Sequence, residues 1–338
     1  MQGWNRRMLD NDARDTEKKT VAILKVLSES SEPLGSISIA RALECHGIYL
    51  SERAVRYHLR ITDERGFTQP LGRDGRMLTH KGRDELSNAL AQEQLGYVIE
   101  RIASLAYQTT LDPERGVGEV VINTSLFPKE KFKKALSAMK DAFTSGICVS
   151  HLVGVAHEGE KLGDVIIPEG QVGFATICSA TINGVLLKSG IPMDSRFAGI
   201  LELRDSTARR FTAIIHYAGS SLDPSLAYIR ARMTSVREAA LRGNGMVLAN
   251  FREIPGAAKP KTEELIEKLR GLGVNGVVHM GYTSQPVCQI PVGLNKVGVI
   301  LYGGLNPVAA AEEAGVEAQN VANSGTMDIR RLGSFWDI

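Results

Sequence analysis

With 338 residues and a net charge of +2, the chain has room for two or three domains, and bulk charge cannot hold it on nucleic acid. Four widely spaced cysteines, Cys45, Cys148, Cys178 and Cys288, form no C-x-x-C pair, which excludes a disulfide framework and a zinc finger and suits reduced thiols. With no secretory leader and no apolar run long enough to span a bilayer, a cytoplasmic protein without membrane contact is expected.

Residues 1–15, polar apart from Trp4, Met8 and Leu9, read as a disordered tail. From Thr16 to Ser30, Val21, Leu24 and Leu27 recur at helical spacing, as do Ile23 and Val26, until Glu32-Pro33 stops the run. Ser36 to His46 reads as a second short helix that buries Ile37, Ala40, Ala42 and Leu43 and closes at Gly47. The stretch SERAVRYHLRITDERG, residues 51–66, then has Ser51 as N-cap and Val55, Leu59 and Thr62 as its inward stripe. Arg53, Tyr57 and Arg60 lie on another stripe with Arg56 beside it, where guanidinium forks can bind phosphates or read guanine edges. Alone, such a face more often marks a solvated basic helix; its neighbours decide. Phe67–Gln69 and Met77–Thr79 flank a tip, Gly72-Arg73-Asp74-Gly75-Arg76, whose Asp-Gly pair signals a hairpin. Arg73 and Arg76 would reach the DNA backbone from it. Three helices and a basic hairpin over 16–83 define a winged helix-turn-helix domain. Between 51 and 83, eight bases stand against four acids, the local surplus that the near-neutral chain requires.

Residues 84–96 read as a linker helix, with the boundary near Gly96, and 97–338 as an α/β regulatory domain. That domain contains an internal repeat, 118–192 and 245–317, offset by 123–127 residues. GEVVIN (118–123) answers GMVLAN (245–250), and IPEGQVGFATICSATINGVLLKSGI answers IPVGLNKVGVILYGGLNPVAAAEEAGV. Each copy reads strand, helix, strand, strand, helix, so the fold class is α/β: a winged helix followed by two related βαββα halves. The joining segment reads as strands 197–203 and 211–215, then one long helix through Ser225–Leu241.

A small anion would suit the crevice between such halves. The turns Ser179–Gly184 and Gly303–Pro307 each enter a helix whose first amides point outward, which makes Ser179, Thr181, Asn183, Gly303, Gly304 and Asn306 ligand candidates. Lys188 and Arg252 would supply the cations that a dicarboxylate needs. No nucleotide loop, nucleophile elbow or metalloprotease pattern occurs, and His151, His157, Glu158 and Glu160 read better as a strand end and charged loop than as a metal site. No enzyme, resident cofactor or metal is therefore expected. The competing possibility is a winged helix fused to a small-molecule enzyme that controls its own operon. An RNA-associated winged helix is disfavoured, because Tyr57 is the only aromatic beside the basic face.

The pieces SERAVRYHL, ITDERG, GRDGR and THKG, together with ANFREIP (249–255), GGLNPVAAAEEAG (303–315) and SGTMD (324–328), resemble the archaeal nitrogen-assimilation transcriptional repressors, the NrpR-like family, over nearly the whole regulatory part. The resemblance implies a repressor of nitrogen-fixation and glutamine-synthetase operons that leaves double-stranded operator DNA when 2-oxoglutarate accumulates. It implies a homodimer on a palindromic site. It also implies a second arrangement, a hetero-complex with a regulatory-domain protein lacking the winged helix. Thr62 and His80 depart from the family pattern, which prefers an apolar residue and a glutamate there.

Overall fold

The computed structural model describes residues 16, 18–30, 32–45, 48–93 and 97–338, without the side chains of 45 and 87–93. The expected tail, 1–15, and the expected boundary glycine, Gly96, lie outside the described residues. The chain divides into two compact units, Met1–Gln94 and Leu95–Ile338.

In the first unit, α1 (residues 18–28), α2 (Ser36–Cys45) and α3 (Glu52–Glu64) pack around Ile23, Leu24, Ile39, Leu43, Val55 and Leu59. Ile39, not the expected Ile37, faces this core; Ile37 is exposed. Strands β1 (Thr68–Pro70) and β2 (Arg76–Leu78) pair antiparallel, with Thr68 opposite Leu78, and Leu34 bridges Arg76 as a third strand. The turn between them differs from a two-residue Asp-Gly hairpin: Leu71–Gly75 makes a five-residue loop around a 3-10 turn, closed by the Leu71 N–H donating to the Gly75 carbonyl at 2.8 Å. Gly75 is needed for another reason. Its φ is +113°, and a β-carbon there would stand 2.4 Å from the Leu34 carbonyl oxygen. α4 (His80–Glu93) runs straight through the expected 83/84 boundary, and its Leu86 packs into the same core, so the winged helix keeps this helix as its own. Thr62 uses its hydroxyl inside the fold, donating to the Leu59 carbonyl at 2.8 Å and meeting the Thr68 hydroxyl at 2.7 Å. A polar residue is thereby satisfied where an apolar one was expected.

The second unit begins with α5 (Tyr97–Gln108). The first repeat then gives β3 (Glu119–Pro128), α6 (Phe132–Thr144), β4 (Leu152–Ala156), a small hairpin β5 (Lys161–Leu162) and β6 (Val165–Ile166), β7 (Gln171–Ile177) and α7 (Ala180–Lys188). Strands β8 (Asp194–Arg204) and β9 (Thr207–His216) follow. The expected long helix is two short ones, α8 (Pro224–Arg230) and α9 (Val236–Arg242). The break falls at Arg232, whose φ of +54° ends the first helix. Ser235 then donates its N–H to the Met246 carbonyl at 2.8 Å instead of extending a helix. The second repeat gives β10 (Gly245–Pro255), α10 (Lys259–Gly271), β11 (Val277–Met280), β12 (Lys296–Tyr302) and α11 (Asn306–Glu313), and β13 (Gln319–Asp328) and β14 (Gly333–Ser334) end the chain.

Two five-stranded sheets result, ordered β13-β3-β7-β4-β14 and β11-β12-β10-β8-β9, with every pairing antiparallel. Each repeat is followed by one further strand beyond the expected five elements, and it crosses over. β8, after the first repeat, pairs with β10 of the second; β13, after the second, pairs with β3 of the first. The helices are shared likewise: α6 and α11 contribute to one apolar core, and α7 and α10 to the other. Residues of both sheets alternate between those cores, as Ile300 and its neighbours Val299 and Leu301 do on β12.

Candidate functional site

On the first unit, Ser51 caps α3 by accepting the Ala54 N–H at 3.3 Å, which sets where the helix starts. Arg53, Arg56, Tyr57 and Arg60 are all exposed on α3. Arg56 is tethered: it pairs with Glu52, which also accepts from the Ser36 hydroxyl at 3.0 Å, tying α3 to the start of α2. The hydrogen bonds from Arg56 and Ser36 hold the Glu52 carboxyl below its ordinary range. Arg60 meets Glu64 only loosely at 3.6 Å, in full solvent. Arg53 and, at the tip of the wing, exposed Arg73 have no ion pair among the described residues. Arg76 corrects the expectation. Its Nε donates to the Asp63 carboxylate at 2.8 Å with both side chains largely covered, so it clamps the wing to α3 and does not project from it. Arg73→Ala should therefore weaken binding to any duplex alike and lower the salt slope by about one phosphate contact. A base contact by Arg53 would show in Arg53→Ala as a loss of about 1–3 kcal/mol on the operator alone, and a phosphate contact as an equal loss on any duplex. Arg76→Ala should first appear as a lower melting temperature, which calorimetry would separate from the DNA titrations.

In the second unit, the two repeats meet at a small cavity of about 20 Å³, space for one or two waters. Asn123 of β3 and Asn250 of β10 occupy equivalent places in the repeat, and both line it, as do Cys178 and Ser179 of one turn and Gly303 and Gly304 of the other. The turns are in close contact: a β-carbon on Gly304 would lie 2.5 Å from the Ile177 carbonyl oxygen and 2.6 Å from Asn123 Nδ2. Arg252, only 1% exposed, reaches in from β10. Its Nη2 donates to the Ser179 hydroxyl at 2.9 Å and its Nη1 to the Ser179 carbonyl at 3.3 Å. Its Nε has no partner, and no carboxylate forms an ion pair with it among the described residues. Burial pulls its pKa below the ordinary arginine value, opposed by the nearby Tyr217 and Cys178.

Around Arg252, Asn250 donates to the Ser179 hydroxyl at 3.3 Å and accepts from the Tyr217 hydroxyl. Cys178 donates to Asn323 Oδ1 at 3.2 Å, and Asn323 Nδ2 donates to Asp223 Oδ2 at 3.2 Å. Asn323 sits where β13 bulges away from β3, with φ at +51°, and its N–H donates to Asn123 Oδ1 at 3.0 Å. Burial pushes the Tyr217 phenol, the Cys178 thiol and the Asp223 carboxyl all upward. Outside this wall lies a wider cleft of about 390 Å³, which shares Asp223, Ala322 and Asn323 with the inner cavity.

Of the eight expected ligand residues, Ser179, Arg252, Gly303 and Gly304 line the cavity. The other four are turned to structural work. Thr181 is buried and bonds the backbone of Val121, accepting its N–H at 2.9 Å. Asn183 donates to the Ser195 hydroxyl at 3.0 Å. Asn306 accepts the Leu248 N–H at 2.8 Å and donates to the Leu248 carbonyl at 3.0 Å, a clamp between α11 and β10. Lys188, in the last turn of α7, lies over the Tyr107 ring with its ammonium 4.7 Å from the centroid. The helix amides are not free either: those of Thr181 and Ile182 donate to Cys178 and Ser179 carbonyls, and that of Asn306 to Gly303. What faces the cavity is therefore the Arg252 guanidinium and not these helix amides. The sequence did hold one unused signal, the asparagine closing both GEVVIN and GMVLAN. Tyr217, Asp223 and Asn323 lie outside the repeat and carried none.

A winged helix with an exposed arginine face, joined to a duplicated α/β unit, is the construction of a transcriptional regulator. Residues 95–334 match the family described as NrpR regulatory domains NRD1 and 2, and residues 21–86 match the ribonuclease R winged-helix domain. The global nitrogen regulator NrpRI of Methanosarcina mazei is 37% identical over 94% of this chain and 97% of its own. Global nitrogen regulators NrpR of Methanococcus maripaludis and Methanocaldococcus jannaschii are each 32% identical, over 92% and 87% of this chain. The chain spans about half the length of those two, 54% and 51%. A crystal structure of a nitrogen repressor-like protein from Methanococcus jannaschii superposes with a TM-score of 0.60 at 26% identity, over 70% of this chain and 98% of that one. The chain belongs to the NrpR family of nitrogen regulators. It is a regulator of transcription and not an enzyme. Among the described residues, no helix is long and apolar enough to cross a membrane.

Proposed function

We propose that this protein is a homodimeric repressor of nitrogen-assimilation genes that 2-oxoglutarate, bound against Arg252 in the cavity between the repeats, releases from a palindromic operator. The observation that carries this reading is Arg252 itself. A buried guanidinium without an acid is costly, by several kcal/mol, and an arriving carboxylate offsets that cost with two parallel charge-assisted hydrogen bonds. The Ser179 hydroxyl accepts from the guanidinium and is itself held by the Asn250 amide, which orients the pair. Because the cavity holds only one or two waters, a dicarboxylate enters when the two turns part, and closure around it selects one arrangement of the repeats.

The route to the DNA-binding unit runs through α5. It is the first element after residues 94–96, its Ile102 lines the cavity, and its Arg101 donates to the Asn323 carbonyl at 3.1 Å. A dimer on half-sites about 34–36 Å apart loses its grip when one recognition helix is misplaced. Full release requires the ligand to favour the off-state by roughly 100-fold or more. A complex with a second regulatory-domain protein lacking a winged helix would use the same switch.

The test is a titration of a palindromic promoter fragment from upstream of a glutamine-synthetase gene, with and without millimolar 2-oxoglutarate at fixed salt. Tight, sequence-specific binding that weakens with ligand is the expected result. Specific binding indifferent to 2-oxoglutarate would overturn the effector assignment, and equal affinity for unrelated DNA would overturn the operator reading.

A further inference from the structure

Arg252 is one of two unpaired charges on this cavity. The other is Asp223, which caps α8 by accepting the Ser225 N–H at 2.9 Å through Oδ1 and accepts from Asn323 through Oδ2. No cation forms an ion pair with it among the described residues, although it lines both the inner cavity and the outer cleft. The titratable and charged groups around it are Arg252 on β10, Tyr217 after β9 and Cys178 before α7, with Arg101, Tyr97 and Asp164 on the outer side. Arg101 and Asp164 are paired with each other at 2.9 Å, so neither neutralises Asp223. A molecule in the cavity thus meets both a cation and a carboxylate that are not paired with each other.

We infer that Asp223 sets the charge of the ligand accepted here, so that a dicarboxylate binds together with one proton, shared between its second carboxylate and Asp223. The inference rests on the effector reading above. Two carboxylates in one low-dielectric site cannot both stay ionised; one proton from solvent converts the pair into a carboxyl donating to a carboxylate. The balance is simple: one dianion and one proton enter, and no bond other than O–H forms. Burial already pushes the Asp223 carboxyl upward in the free protein, the direction that eases this uptake. Tyr217 and Cys178, whose acidities burial suppresses, do not compete for the proton's release. An amino acid would behave oppositely, since its ammonium would prefer the ionised Asp223.

The experiment is calorimetric titration of the full chain with 2-oxoglutarate between about pH 6 and 9, in buffers of different ionisation enthalpy, for the wild type and Asp223→Asn. Asparagine is as good an N-cap as aspartate, so α8 keeps its start, and a thermal melt verifies the fold. For the wild type, proton uptake should rise toward one per ligand, and Kd toward a tenfold increase per pH unit, as the pH climbs past the free-protein Asp223 pKa. For Asp223→Asn, proton uptake should vanish and the affinity should become flat with pH, exceeding the wild type at the alkaline end. Binding of 2-oxoglutarate by the wild type with no proton uptake and no pH dependence would overturn the inference while leaving the effector reading intact. So would tighter wild-type binding of glutamate that Asp223→Asn loses, which would make Asp223 an ammonium receptor. Absence of 2-oxoglutarate binding in both proteins would remove the effector reading, and this inference with it.

Discussion

Replacing Arg252 with methionine should lower 2-oxoglutarate affinity by about 100-fold, ~2.7 kcal/mol, while leaving the fold as stable as before or more so. The two halves of that expectation have one cause. Arg252 is fully buried, lacks an ion-pair partner, and leaves its Nε unsatisfied, so in the ligand-free protein it is a net burden. Even a buried ion pair exchanged for apolar side chains is commonly neutral or stabilising by about 1–4 kcal/mol, and a guanidinium without an acid has less attraction to lose. Ser179, which loses a donor, keeps the Asn250 amide. With ligand present the same exchange removes the one cation that a carboxylate can reach. A thermal melt with and without 2-oxoglutarate reads both effects: the variant should start at the same melting temperature or higher, and the ligand should no longer raise it. A variant that melts well below the wild type would show instead that Arg252 is a structural residue.

Gly75→Ala should destabilise the winged helix by about 2–4 kcal/mol and abolish operator binding, with 2-oxoglutarate binding retained. The backbone at Gly75 is held at φ +113°, where a side chain is strained whatever the space. Here there is no space either, because the added carbon meets the Leu34 carbonyl at 2.4 Å and Gly35 N at 2.7 Å. Both contacts are backbone and cannot swing aside. The clash would push Leu34 off Arg76, dissolving the third strand of the wing and, with it, the Arg73 tip. Since a domain is stable by only about 5–15 kcal/mol, this is a large share for the small first unit. The second unit has its own cores and contains the cavity. Parallel DNA and ligand titrations of one preparation would test the separation; loss of both activities would contradict it.

Local chemistry made some of this legible beforehand. Val55, Leu59 and Thr62 recur with the period of a half-buried helix, and all three are buried. The repeated strand–helix–strand–strand–helix pattern was visible because each copy must bury the same faces. What sequence could not give was partner choice across the fold. Arg76 looks like any wing arginine until the hairpin brings it to Asp63. Asn306 and Thr181 sit at helix starts, where side chains serve ligands or neighbouring backbone equally well; their buried neighbours, Leu248 and Val121, decide for backbone. Asp223 and Asn323, separated by 100 residues, meet at the cavity only because β13 returns to pair with β3.

That return has a consequence for origins. If the first half stood alone, β3 would present a bare edge where β13 now lies, and β8 would lose β10 and keep only the hairpin partner β9. Two copies of such a half solve each other's problem by exchanging final strands, which is the arrangement of a domain-swapped dimer. The present unit has that arrangement once, within a single chain. Two positions past the paired asparagines, Asn123 and Asn250, the first half has Ser125 and the second Arg252, so only the second half brings a cation to the cavity among the described residues.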